Sequence, residues 1–315
     1  MRIGIAGFYG WGNSGDEGIL LSIIDSLGSD NEYLVSTTLP FNLADEYRRK
    51  LPWCVEEVRQ IYDTRTDYDI YLLGGGELNW GFGWRQCLAV FSASVPCLNY
   101  GVGYSKKFLY DDKLKPAYRE VLANFDAITV RDESSFNMLS EIGLAPALTM
   151  CPAINLEVEK VNCHEGMIAV CPRYEDSGDN EPQINWLTRR LDGLGDEVLL
   201  IPFAPHDKQG HRIDMELCSE IAKKVPGSRI LKVDGYSPRK IKYALSKSKL
   251  VISGGRYHAL VWAVSHNIPF EVSPTGIENY PKIGAFIEMH EKYGNLKEME
   301  RKNKEILLET IGAVE

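Results

Sequence analysis

The sequence predicts an α/β protein made of two similar open, parallel sheets in tandem. Three observations predict it. Short apolar, β-branched runs alternate with amphipathic stretches from start to end, the pattern of parallel strands wrapped by helices. The chain has 315 residues, 44% of them hydrophobic, enough for two medium domains with their own cores. A polar stretch, Glu157 to Glu165, separates two apolar strands near the middle and reads as a linker.

In the first half, strands are expected at Arg2 to Ala6, Tyr33 to Thr37, Ile70 to Leu73, Pro96 to Tyr100, Ala127 to Val130 and Leu148 to Cys151. Glu17 to Leu27 reads as a helix, with Ile19, Leu20, Ile23, Ile24 and Leu27 on one face. In the second half the strands are Met167 to Cys171, Glu197 to Ile201, Arg229 to Val233, Leu250 to Ile252 and Phe270 to Val272. Helices are expected near Ile184 to Leu191, Met215 to Lys224, Pro238 to Ser246 and His258 to Val264. Tyr174 to Gln183 is polar and reads as a surface loop or lid. The resulting domains are 1–157 and 166–279, followed by a charged closing helix over 280–315 that can cross back to the first domain. Two such sheets would face each other across a cleft at their strand carboxyl ends, where ligands bind in such sheets.

A formal net charge of −9 argues against nucleic acid as a partner, because counterion release needs a basic face. The apolar start lacks the basic region and cleavage site of a secretory signal, and no stretch reaches the roughly 18 to 20 apolar residues of a membrane span. A cytoplasmic protein is expected, with peripheral docking on a membrane surface left open. Seven scattered cysteines without a Cys-x-x-Cys pair read as reduced thiols, neither a disulfide framework nor a zinc site. No metal site and no cofactor are expected.

Four segments carry chemistry. GFYGWGNSGDEGIL joins the first strand to the first helix, and its glycines allow close backbone approach at a helix N-terminus. It lacks the Lys-Ser/Thr of a phosphate loop and the spacing of a dinucleotide turn. Asp16 and Glu17 read either as helix-dipole and capping residues or, with Asn13, as partners for acceptor hydroxyls. LLGGGELNWGFGW places Glu77, Asn79, Trp80, Phe82 and Trp84 after a buried strand. The rings can stack on a sugar while Glu77 and Asn79 bond its hydroxyls, or they can cap the core. In ITVRDESS, Arg131 ends a strand beside a helix start, poised for an anion or paired with Asp132 or Glu133. In VISGGRYHALVWAVSHNIPF, Gly254 and Gly255 lead from a buried strand to Arg256, a bidentate anion ligand, and His258, which titrates near neutrality.

These segments, in this order, resemble the polysaccharide pyruvyl transferase family, together with YGVG at 100–103, VRDESS at 130–135 and GGRYHAL at 254–260. The resemblance implies two tandem Rossmann-like domains of the glycosyltransferase B kind. It also implies transfer of the enolpyruvyl group of phosphoenolpyruvate onto sugar hydroxyls as a pyruvate ketal. The acceptor would be a sugar, a glycan or a lipid-linked oligosaccharide. The second domain would be the donor side, where Arg256, Gly254 and Gly255, with Arg131 at the cleft of the first domain and Lys282 of the closing segment, hold phosphoenolpyruvate. The first domain would be the acceptor side, with Asn13, Asp16, Glu17, Glu77, Asn79, Trp80 and Trp84. His258 and Arg256 would be catalytic, His258 as acid toward the methylene carbon or as base on the acceptor hydroxyl.

Two departures stand out. Cys151-Pro152-Ala153 replaces the family's Asp-Pro-Ala, and the Asp-Pro-Lys segment has its nearest match at Lys282. The rival readings are a nucleotide-sugar glycosyltransferase of the same fold and a non-catalytic glycan-binding relative.

Overall fold

The computed structural model describes residues 1–37, 49, 57–60, 68–78, 95–104, 115–175, 177–204, 213–233 and 235–312. The chain divides into two compact units. The first takes Met1–Gly10, Ile19–Asn155 and Tyr293–Glu315, and the second Trp11–Gly18 and Leu156–Lys292.

The first unit is built on β1 (Arg2–Ala6), β2 (Glu32–Thr37), β3 (Glu57–Gln60), β4 (Ile70–Gly74), β5 (Glu77–Leu78), β6 (Cys97–Tyr104), β7 (Ala127–Val130) and β8 (Ala147–Leu148). All pairings are parallel, in the order β3-β2-β1-β4-β6-β7-β8, with β5 against the end of β6. Chain order reverses between β1 and β4, as in a Rossmann sheet. Every residue of β6 is buried, as a strand covered on both faces requires. Around the sheet lie α1 (Ser14–Leu27), α2 (Lys115–Leu122) and α3 (Glu133–Glu141). Tyr118, Val121 and Leu122 of α2 pack with Leu139 of α3 on Leu73, Val102 and Val130 of the sheet.

Two features depart from the sequence expectation. β3 and β5 are too short for alternation to reveal, at four and two residues. The strand expected over 148–151 stops at Leu148. Pro152 follows, and the chain turns into a 3₁₀ turn over Pro152–Asn155, because a proline lacks the N–H that a ladder needs.

The second unit holds β9 (Ile168–Cys171), β10 (Val198–Leu200), β11 (Arg229–Ile230), β12 (Leu250–Ser253) and β13 (Phe270–Val272), all parallel, in the order β11-β10-β9-β12-β13. Its helices are α4 (Glu181–Leu191), α5 (Ile213–Lys224), α6 (Pro238–Ser246), α7 (Tyr257–Ser265), α8 (Pro274–Asn279) and α9 (Pro281–Tyr293). Ile184, Leu187 and Leu191 of α4 and Leu217, Cys218 and Ile221 of α5 cover Ile168, Val170, Leu200 and Ile252. In α7 every residue but Val264 is buried, the mark of a helix enclosed on all sides. Among the described residues no helix is long and apolar enough to cross a membrane.

The charged terminal segment forms two helices, not the single one expected over 280–315. Gly294, at φ +65°, separates α9 from α10 (Leu296–Gly312). Helix α10 packs on β6, β7 and the 3₁₀ turn through a buried polar network. Glu300 accepts from Tyr100 Oη (3.1 Å) and Asn303 Nδ2 (2.9 Å), while Thr129 Oγ1 donates to Asn303 Oδ1 (2.7 Å). The Gly101 N–H donates to Thr129 Oγ1 at 2.7 Å. Gly101 has φ +61°, and a Cβ there would press on Pro152 and Asn303, so this crossing requires glycine.

Burial pushes the Glu300 carboxyl up to about 8, against the opposing pull of Asn303, Tyr100 and Lys304. A raised carboxyl pKa adds stability at low pH that is lost as pH climbs toward 8, since the folded protein holds a proton the unfolded chain has released. Wild-type stability should therefore fall between about pH 5 and 8 relative to Glu300→Gln, by up to about 1.4 kcal/mol per pH unit. Urea unfolding of both proteins across that range measures the difference, and parallel profiles would contradict it.

Candidate active site

In the second unit the sheet order reverses between β9 and β12, and open α/β sheets bind ligands beyond the strand ends at such a point. Two arginines stand there. Arg173 follows β9 and Arg256 follows β12, with the Gly254 N–H donating to Cys171 O at 2.9 Å to hold the two exits together. Arg256 is 8% exposed, and its Nη2 donates to both oxygens of Asp214 at 2.5 Å. Its Nε reaches Pro172 O at 3.4 Å, while Nη1 makes no hydrogen bond to the described residues.

Asp214, in the first turn of α5, is fully buried. It also accepts the backbone N–H groups of Tyr174 (3.2 Å), Phe203 (3.2 Å) and Ala204 (2.8 Å). These donors lie just beyond β9 and β10. One carboxylate thus ties together the exits of three strands. Nothing in the sequence marks Asp214, because its helix has an ordinary amphipathic pattern and its partner lies 42 residues away.

Gln183 secures the same region. Its amide exchanges hydrogen bonds with Arg173 N and O (both 3.0 Å) and donates to Gly254 O at 3.2 Å. Glu175, 6% exposed, accepts from Tyr280 Oη at 2.7 Å, Asn279 at 3.2 Å and Gln183 at 3.4 Å. Tyr280 in turn lies under the Arg173 guanidinium, 3.6 Å from ring centroid to Cζ. Gly255, at φ +114°, leaves room for the Tyr280 ring, and Gly254 for the Gln183 amide. Lys282 is partly exposed, two residues beyond Tyr280. Arg173 has a signal in the sequence, a cation just beyond an apolar strand, as Arg131 has.

His258 sits in the first turn of α7, 8% exposed, its ring edge-on to Tyr257 (centroids 5.2 Å) and 6.3 Å from Trp262. The Cα of Gly15 lies against this ring, and a Cβ there would overlap it. The segment Trp11–Gly18 is bound within the second unit at several points. Ser14 donates to Phe203 O from both N and Oγ at 2.8 Å, Gly12 O abuts Gly235, and Gly18 faces Trp262. Asn13 is partly exposed and donates to Asp16 Oδ2 at 2.7 Å; Asp16 is 6% exposed and Glu17 fully buried.

In the first unit, Arg131 is 1% exposed and lies flat on Gly103, where a Cβ would come within 2.9 Å of Nε, Nη2 and Cζ. Its Nε is 3.8 Å from Asp132 Oδ2, and Asp132 caps α3 through the Ser135 N–H. The pairing considered from sequence exists, but it is buried, not on the surface. Glu77, partly exposed, pairs in register with Gly103 across β5 and β6. Asn79, Trp80, Phe82 and Trp84 lie outside the described residues. No group of three or more His, Cys, Asp or Glu among the described residues could hold a metal ion.

Residues 13–270 match the family model of polysaccharide pyruvyl transferases. The chain belongs to this family. No curated protein matches it significantly. Solved structures share its fold at low identity. The UDP-GlcNAc 2-epimerase of Neisseria meningitidis bound to UDP-GlcNAc superposes with a TM-score of 0.58 at 12% identity, over 99% of each chain. Anabaena HepE, in complex with UDP and glucose, gives 0.54 at 11% identity, over 99% of this chain and 100% of its own. These likenesses establish the architecture of tandem Rossmann-like domains, similar to glycosyltransferase B.

In this pyruvyl transferase family member, Cys151 stands where the resemblance leads one to expect aspartate. It is fully buried, outside any disulfide, at the start of the 3₁₀ turn. Cys97, Cys171 and Cys218 are also buried and free. Burial pushes the Cys171 and Cys218 thiols up, and the Arg256 charge only partly offsets this, so neither behaves as a nucleophile at neutral pH.

The Gly15–His258 contact yields a direct expectation. Gly15→Ala should displace the His258 ring and lower stability by about 1 to 3 kcal/mol, the cost of overpacking a filled site. Thermal unfolding and the His258 ring shifts in NMR report both, and an unchanged ring signal would show that the contact is slack.

Proposed function

We propose that this protein transfers the enolpyruvyl group of phosphoenolpyruvate to sugar hydroxyls of a glycan or glycan precursor, forming a pyruvate ketal. The observation that carries the reading is the arginine pair at the switch point of the second sheet. Phosphoenolpyruvate bears a carboxylate and a phosphate, and Arg173 and Arg256 offer guanidinium N–H groups to these two anionic groups. Lys282 is the remaining cation of this unit assigned to the donor.

Protonated His258 donates its proton to the methylene carbon of the donor, which becomes a methyl group. The neighbouring carbon becomes electrophilic, and a sugar hydroxyl adds to it, its proton passing to His258. Phosphate then leaves with the C–O bonding pair. A second hydroxyl adds to the same carbon and gives its proton to the released phosphate, closing the ketal. Charge on the departing phosphate stays neutralised by the arginines. On this reading Asn13 and Glu77, with Asn79, Trp80 and Trp84, serve the acceptor. The protein works in the cytoplasm, the compartment that supplies phosphoenolpyruvate.

A nucleotide-sugar reaction is the second reading, favoured by the UDP and UDP-GlcNAc held by structural neighbours. Ligand binding to the native state raises apparent stability by mass action, so thermal unfolding separates the two. Phosphoenolpyruvate should raise the midpoint of the wild type and not that of Arg256→Ala. A rise with UDP or UDP-GlcNAc alone would move the protein to nucleotide-sugar chemistry. His258→Ala should lower turnover by about two to four orders of magnitude, as loss of a general acid does, and keep the phosphoenolpyruvate-dependent rise. Turnover retained in that variant would remove His258 from the mechanism.

A further inference from the structure

We infer that Asp214 is a positioning residue for the donor: it holds one edge of the Arg256 guanidinium and leaves Nη1 to meet the donor anion. The inference rests on the proposed function and adds to it a residue and a division of labour within Arg256. Both Asp214 oxygens accept from Nη2, and Pro172 O takes Nε, so three of the five guanidinium N–H groups point into protein. The Nη1 nitrogen keeps both of its own for a ligand. Asp214 is itself fixed by the backbone N–H groups of Tyr174, Phe203 and Ala204. The orientation of Arg256 is therefore set by the strand exits and not by the ligand.

The arrangement has an electrostatic consequence. Asp214 already balances the charge of Arg256, so the pair brings directed N–H groups but little net charge. Further positive charge for the donor comes from other cations of the second unit, among them Arg173, whose guanidinium is stacked on Tyr280. A single arginine without Asp214 could fold onto the donor bidentately; held by Asp214, it can only donate from one nitrogen.

The test is the dissociation constant of phosphoenolpyruvate, by calorimetry, for wild type, Arg256→Ala, Asp214→Asn, the double variant and Arg256→Lys. We expect Arg256→Ala and Asp214→Asn each to weaken binding at least ten-fold, and Asp214→Asn to add less than two-fold once the Arg256 side chain is gone. A residue that only supports the fold would weaken binding equally in both backgrounds, and that result overturns the inference. Arg256→Lys should keep its ion pair with Asp214 and its unfolding midpoint but lose at least ten-fold in binding, because one ammonium cannot serve both partners. Wild-type affinity in that variant also overturns the inference, and it decides the matter alone should Asp214→Asn fail to fold. If the wild type binds phosphoenolpyruvate and Arg256→Ala binds it equally, this inference and the donor role of Arg256 fall, while phosphoenolpyruvate as the donor stands. If the wild type does not bind it, both fall.

Discussion

The second unit depends on a carboxylate with no contact with water. Asp214 is fully buried, and its oxygens accept from three backbone N–H groups and from the Arg256 guanidinium. Burying an ion pair gives little net stability, because both charges lose hydration; breaking one costs several kilocalories per mole, because a charge is left alone. Such a pair is therefore better understood as a device for geometry than for stability. Here it makes the exits of β9, β10 and β12 a single rigid object. Gln183 repeats the pattern with an amide, joining the β9 and β12 exits, and Glu175 extends it to Tyr280 and Asn279. The charged and amide groups near the switch point are thus committed to one another before any ligand arrives.

A related logic governs the glycine-rich segments. Glycine after a strand suggests room for a ligand, yet most of this room is taken by the protein's own side chains. Tyr9 lies against Gly7, Gly74 and Gly75 and donates to Gly74 O at 2.7 Å; Arg131 lies on Gly103; His258 lies on Gly15; Tyr280 fills the space beside Gly255. Each glycine lets a large ring or guanidinium come to van der Waals contact with backbone, which fixes its direction. The missing Cβ atoms serve orientation of functional groups.

The parallel sheets were legible because strand and helix periods differ and the core positions follow them closely. Leu72, Leu73, Val170 and Ile252 are apolar and buried as the pattern requires. Arg131, Arg256 and His258 were legible as side chains, since a cation at the end of an apolar strand interrupts the pattern. Their partners were not. Asp214 and Glu300 sit in helices whose charges read as solvated faces, and only the fold brings Asp214 to Arg256 or Glu300 to Tyr100. Sequence periodicity reports which face of an element is buried; it carries no signal for a long-range polar pair inside that face. The split of the terminal segment has a simpler cause: Gly294 is one glycine within a long charged run, and its positive φ is not visible in the periodicity.

The two sheets share one topology but treat their switch points differently. Where the first sheet reverses, between β1 and β4, the space beside the strand ends holds the Tyr9 ring, fully buried and hydrogen-bonded to Gly74 O. Where the second reverses, between β9 and β12, it holds two arginines, one of them partly exposed, and a buried carboxylate that compensates the other. An aromatic plug has nothing to offer an anion, whereas a preset guanidinium has directed N–H groups. In a chain of net charge −9, the direction of the Arg256 guanidinium is set by backbone N–H groups acting through Asp214. Duplication of a fold therefore does not duplicate a site: the topology provides two equivalent positions, and a few side chains at the strand exits make them chemically different.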